Sequence, residues 1–251
     1  MSSPIWTPDA LSSEPQAYRG EAWRLVEAQH RVSTLGLVDT LDEQSVLEGI
    51  LDETKPPVPL DCQHLDYLLS TPFRYTSNYR VGSRFRRAGR SPGVFYAAEV
   101  VDTAVAEMVF YRYLFFAESP EIALPGGTAE FTAFSAALSS AYAIDLTREP
   151  LVAHRDRWAN LTDYSACQAL ADAARAADVD IIRYQSVRDP LGRANVAVLR
   201  CQAFADANPV QRQTWRIRVA ETVAQAICEH PRQGLEFEYQ GFAADARLRS
   251  D

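Results

Sequence analysis

Gly93-Val94-Phe95-Tyr96-Ala97-Ala98 is a compact apolar run set off by the turn signal Ser91-Pro92-Gly93, and it predicts a core strand. A helix follows almost at once. Asp102 or Thr103 opens it, and Val105, Met108, Val109, Tyr111, Leu114 and Phe115 carry it to about residue 118. Glu107 is the only acid inside this helix, between Asp102 and Glu118. It falls on or beside the apolar stripe, where a carboxylate is costly unless it is paired. A bland account is open too, with Glu107 serving Tyr111 or Arg112 at the stripe's edge.

Working outward, the text predicts strands at residues 129–134, 142–146, 180–187, 195–201, 215–219 and 235–239. A segment from Glu21 also enters the fold as a short or edge strand. Helices are expected at 40–53, with Asp39 or Thr40 as N-cap and Leu41, Val46, Leu47 and Ile50 on one side, and at 163–177. Lys55-Pro56-Pro57-Val58-Pro59 stops the first of these and reads as a loop within one domain. Strands and helices do not alternate strictly, so the expected class is α+β: one domain with a mixed sheet flanked by helices. Residues 1–20 read as a loosely held lead-in and 21–251 as the single domain.

Composition narrows the function. The 251 residues carry a formal net charge of −8, which gives no long-range attraction to nucleic acid. No apolar run reaches the roughly 18 residues of a membrane span. Met1-Ser2-Ser3-Pro4-Ile5-Trp6 lacks a basic and apolar leader, so a cytoplasmic location is expected. Cys62, Cys167, Cys201 and Cys228 form no CxxC pair, and four unpaired thiols with no metal are expected. Lys55 is the only lysine, so an anionic ligand must be gripped by arginine, backbone N–H groups or hydroxyls.

Arg74, Arg80, Arg84, Arg86, Arg87 and Arg90 crowd into one segment and locally invert the sign of the charge. Such a cluster suits a bidentate grip on phosphate or carboxylate, and it also fits a solvated basic loop. Neither GxGxxG, GxxxxGK[ST] nor GxSxG occurs, so Rossmann, P-loop and nucleophile-elbow chemistry have no support.

Five pieces in order resemble the RES domain of bacterial toxin–antitoxin systems, named for its Arg, Glu and Ser. They are Trp23-Arg24-Leu25, then Gly82-Ser83-Arg84-Phe85, then Gly93 to Ala98. Thr103-Ala104-Val105-Ala106-Glu107 follows, and then Tyr184-Gln185-Ser186-Val187-Arg188 with Asn195 beyond. The likeness runs from about residue 21 to 201. Ser83, Phe85-Arg86 and Gln185 depart from the commonest family text, and residues 37–73 read as a helical insertion.

The resemblance implies a fold similar to that of the ADP-ribosylating toxins and an enzyme that consumes NAD. The implied reaction is phosphorolysis to nicotinamide and ADP-ribose 1″-phosphate, with inorganic phosphate as co-substrate and no metal. Glu107 is then the catalytic carboxylate near the anomeric carbon or the ribose hydroxyls. Arg84 grips the diphosphate with Arg24 as a second, Tyr96 offers an aromatic face, and Ser186 bonds ribose or phosphates. The implied partner is a helix-turn-helix antitoxin of the Xre type. An ADP-ribosyltransferase acting on a protein and a non-catalytic partner-binding module are the alternatives.

Overall fold

The computed structural model describes residues 6–12, 15–27, 37–75, 82–89, 91–119 and 121–248. Its strands are β1 (Gln16–Glu27), β2 (Phe95–Ala98), β3 (Ala129–Asp145), β4 (Ile181–Gln185), β5 (Ala194–Val198), β6 (Gln211–Val219), β7 (Val223–Cys228) and β8 (Gln233–Glu238). They form one sheet in the order β1-β2-β5-β4-β3-β6-β7-β8, and β1 also pairs with β3. The pairings among β1, β2, β5, β4 and β3 therefore close into a ring, with β6, β7 and β8 continuing from β3. Among these pairings only β3 with β4 is parallel. The helices are α1 (Pro8–Ser12), α2 (Leu41–Glu53), α3 (Tyr67–Arg74), α4 (Val101–Ala117), α5 (Arg155–Trp158) and α6 (Ser165–Ala176). The mixed sheet with flanking helices is the α+β, single-domain class expected.

Helix α4 positions the site. It is buried nearly all round, through Thr103 to Ala106, Val109, Phe110, Tyr113 and Leu114, because it packs on β1, β2, β6 and β8. Its start is tied down by charge rather than by a capping side chain. Thr103 Oγ1 donates to Asp189 at 2.6 Å, and Arg193 bridges Asp189 and Asp102. This network holds the first turn of α4 against the connection between β4 and β5.

Several expectations are corrected. Strand β1 begins at Gln16, and Leu11 is buried against Phe85 and Trp158, so much of the lead-in belongs to the fold. The strands expected at 129–134 and 142–146 are one, β3, because β1 pairs along it from Phe131 to Ala143 and bridges the polar interval. Strand β7 was not foreseen. Its residues Val223-Ala-Gln-Ala-Ile-Cys228 alternate weakly, and pairing with β6 and β8 on both sides fixes them.

Helix α2 starts as expected. Thr40 Oγ1 accepts from Glu43 N at 3.1 Å while Glu43 accepts from Thr40 N at 3.2 Å, a reciprocal capping box. Its apolar side is nonetheless turned outward, with Leu41, Val46 and Ile50 exposed and Gln44 buried.

Cys62 and Cys201 are joined in a disulfide across Cα atoms 5.4 Å apart, whereas Cys167 and Cys228 are free and buried. The expectation of four unpaired thiols fails for the first two. Their partnership spans 139 residues of sequence and arises because the turn at Leu60–Cys62 lies against the turn at Cys201–Ala203.

Candidate functional site

A row of registered residues builds the floor of one cavity. Trp23 of β1 lies opposite Ala98 of β2, Ala98 opposite Asn195 of β5, and Asn195 opposite Tyr184 of β4. Residues in register share a face of the sheet, so four strands deliver these side chains to one place. The cavity has a volume of about 300 Å³, and Glu107 and Tyr111 of α4 form another wall.

Glu107 sits at the centre of a hydrogen-bond arrangement. Its Oε1 accepts from Ser186 Oγ at 2.7 Å and from Asn195 Nδ2 at 2.6 Å. Among the described residues nothing donates to its other oxygen, Oε2. The carboxylate is thus oriented by one oxygen and available through the other. Arg112 turns instead to Glu27, at 3.8 Å, and lies over the rings of Phe116 and Phe131, so it does not serve as a partner of Glu107.

Ser186 is 2% exposed and does not line the cavity. Its hydroxyl donates to Glu107 and accepts from Arg188 N at 3.2 Å and Asp189 N at 3.0 Å. The side chain is enclosed by the protein and bonded to Glu107 rather than presented to the cavity. Asn195 was quoted in the sequence without a role. A polar residue in the otherwise apolar Asn195-Val-Ala-Val-Leu199 was the available signal, because a buried amide must be bonded. A carboxylate only accepts, so the Asn195 amide nitrogen faces Glu107. Its Oδ1 is buried without a hydrogen-bond partner among the described residues.

The loop ahead of β2 supplies Arg84. Ser83 and Arg86 exchange backbone hydrogen bonds at 2.8 and 3.1 Å and close a tight turn with Arg84 and Phe85 at its tip. Tyr96 anchors the turn: its hydroxyl shares a hydrogen bond with Ser83 Oγ at 2.8 Å and accepts from Phe85 N at 2.9 Å. Tyr96 also lines the cavity. Burial pushes the Tyr96 phenol up, against the pull of its bonds to Ser83 and Phe85. Tyr184 is raised further by burial and the charge of Glu107, so both phenols stay protonated.

The arginines divide by partner. Arg84 is buried, and it donates to Trp158 O and, at 3.0 Å, to Asn160 O while lying over the Tyr164 ring. Most of its fork holds the main chain of residues 158–160. Arg24 donates to Tyr96 O at 2.9 Å and has no carboxylate partner among the described residues. Burial lowers it to about 10, which still leaves it charged at neutral pH. A half-buried cation on a cavity wall, with no carboxylate partner among the described residues, is a ready seat for an anion. Arg86 donates to Tyr75 O and Arg87 pairs with Asp172. Arg80 and Arg90 lie outside the described residues.

A family model described as the RES domain matches residues 58–220. The chain belongs to the RES domain family. Among curated proteins none matches. A solved structure described as the M. tuberculosis MbcT–MbcA toxin–antitoxin complex is 13% identical, with 95% of this chain and 93% of that chain covered at a TM-score of 0.43. The RES match takes in Arg84, Tyr96, Glu107, Ser186 and Asn195, and leaves Arg24 on β1 outside it. The structure nevertheless brings Arg24 to the same cavity as Arg84, Tyr96, Glu107 and Asn195.

Among the described residues no helix is long and apolar enough to cross a membrane.

Proposed function

We propose that this RES domain chain is a cytoplasmic toxin enzyme that consumes NAD by phosphorolysis, releasing nicotinamide and ADP-ribose 1″-phosphate. The carrying observation is Glu107, with Oε1 clamped by Ser186 and Asn195, beside a cavity that also holds the uncompensated Arg24.

The chemistry suits this arrangement. The nicotinamide–ribose C–N bond breaks with its electron pair passing to the ring nitrogen, which neutralises the pyridinium. Little acid assistance is therefore needed. Positive charge develops at the anomeric carbon, and an oriented carboxylate stabilises it or holds the ribose hydroxyls. A phosphate oxygen then forms the new bond to that carbon. Arg24, half-buried and without a carboxylate partner among the described residues, takes the diphosphate. Tyr96 presents its ring to nicotinamide or ribose. Arg84, the first choice for the diphosphate from sequence, acts by holding the loop that carries Tyr164. A cavity of about 300 Å³ suits the nicotinamide–ribose half of the dinucleotide.

An NAD-draining enzyme needs restraint in its own cell, and the family resemblance supports a helix-turn-helix antitoxin of the Xre type as the partner. Among the described residues of the basic segment, Arg84 is turned inward and Arg87 pairs with Asp172, so these two do not favour the non-catalytic module.

Nicotinamide release from NAD by the purified chain, with and without phosphate, tests the reading. Phosphate-dependent release is expected, falling at least a hundredfold in Glu107→Gln with the fold intact. Release only in the presence of a protein acceptor would favour the transferase, and no release from a folded, partner-free sample would remove the enzyme reading.

A further inference from the structure

The last described turn of the chain, residues 245–248, lies beyond the RES match, which ends at residue 220, yet it pairs with a residue of the cavity wall, Arg188. Asp245 is 0% exposed. Its carboxylate pairs with Arg188 Nη2 at 2.6 Å and with Arg247 Nη2 at 2.7 Å. Arg188 is itself a wall of the cavity. It lies 3.7 Å from the centre of the Phe110 ring and donates to Leu161 O at 2.9 Å. Arg247 donates to the same Leu161 O at 3.1 Å and to Tyr164 Oη at 3.2 Å. Tyr164 is another wall, and Arg84 grips Trp158 O and Asn160 O from the other side.

Three guanidinium groups thus hold the main chain of residues 158–161, and two of them are set by one buried carboxylate. A buried acid flanked by two arginines fixes both forks, because each charge is costly unless it stays paired. We infer that Asp245 is a positioning residue. Acting through Arg188 and Arg247, its carboxylate holds the 158–164 loop, with Tyr164, in its binding position. Asp245 touches neither the cavity nor Glu107 and acts only through these partners. Its consequence for NAD rests on the function proposed above; its consequence for the loop does not.

Two readouts separate these. Cys167 is free and buried beneath the loop, with Sγ 3.6 Å from Trp158 O, while Cys228 is free and buried elsewhere, in the core under α4. Thiol labelling located by peptide mass mapping is expected to quicken at Cys167 about tenfold or more, relative to Cys228, in Asp245→Asn and in Arg247→Gln. Arg247 is partly exposed, so the second variant keeps the test available where the first folds poorly. In NAD turnover the same variants raise KM about tenfold with kcat changed much less. Leu248→Ala, a core truncation in the same turn, lowers the melting temperature and leaves KM unchanged. Labelling of Cys167 at the wild-type rate in both variants overturns the inference. So does a rise in KM that Leu248→Ala reproduces at equal loss of stability. An inactive wild type with fast labelling in the variants would sink the proposed function and leave the positioning role standing.

Discussion

Glu107 and Asn195 occupy positions where an apolar residue would pack more simply, on a helix buried nearly all round and on a strand buried throughout. Each is tolerated because the other is there: the amide donates to the carboxylate at 2.6 Å, and Ser186 adds a second donor. A hydrogen bond to a charged group contributes about 1.5–3 kcal/mol, which corresponds to about ten- to hundredfold in rate where it orients a reacting group. Asn195→Ala is therefore expected to lower kcat/KM for nicotinamide release by that factor while circular dichroism stays unchanged. A wild-type rate in folded Asn195→Ala would take this amide out of the site. The glutamate itself was legible in the sequence as the lone acid of an apolar helix. The partners of Ser186 and Arg84 within the protein were not, because residue type does not say which groups a hydroxyl or guanidinium will meet.

At the scale of elements, the strand–helix pair at 93–118 was the most readable part of the chain, since a short apolar run and a long helical period differ in both length and spacing. What the text did not disclose is how closely α3 approaches it. A Cβ on Gly93 would collide with the main chain of Pro72 and Phe73, so only glycine lets the end of α3 lie against the entry to β2. Gly93→Ala must push these apart, and strain of this kind costs about 1–3 kcal/mol. Urea unfolding should show that loss, and a variant as stable as wild type would mean that the approach is not close. Helix α2 gives the opposite lesson. Its capping box and period were readable, yet Leu41, Val46 and Ile50 face outward, because periodicity defines a helix and not the body it packs on.

The whole molecule is held around the site by buried carboxylates that belong to arginine networks. Burial pushes Asp189 up, but hydrogen bonds from Arg193, Thr103 and Leu191 N outweigh it and hold the carboxyl below its usual range. Asp245 behaves alike: burial raises it, and the bonds from Arg247 with the charge of Arg188 lower it further. A carboxyl depressed in the folded state contributes stability above its unfolded pKa of about 4, and that contribution is lost as pH falls through the folded value. The urea midpoint should accordingly drop as pH is lowered from about 5 to 3. Asp189→Asn should be less stable at pH 7 and should show a shallower acid limb; an acid limb as steep as that of wild type would remove Asp189 from this account.

The sequence by itself determined the class, the strand–helix unit that carries Glu107 and the family likeness, because these follow from local period and from short ordered motifs. Only the tertiary structure decided that Trp23, Ala98, Asn195 and Tyr184 meet in one row, that Cys62 joins Cys201, and that Asp245 pairs with Arg188 on the cavity wall. Those outcomes depend on strand register and on contacts between residues far apart in the chain, which local pattern does not encode.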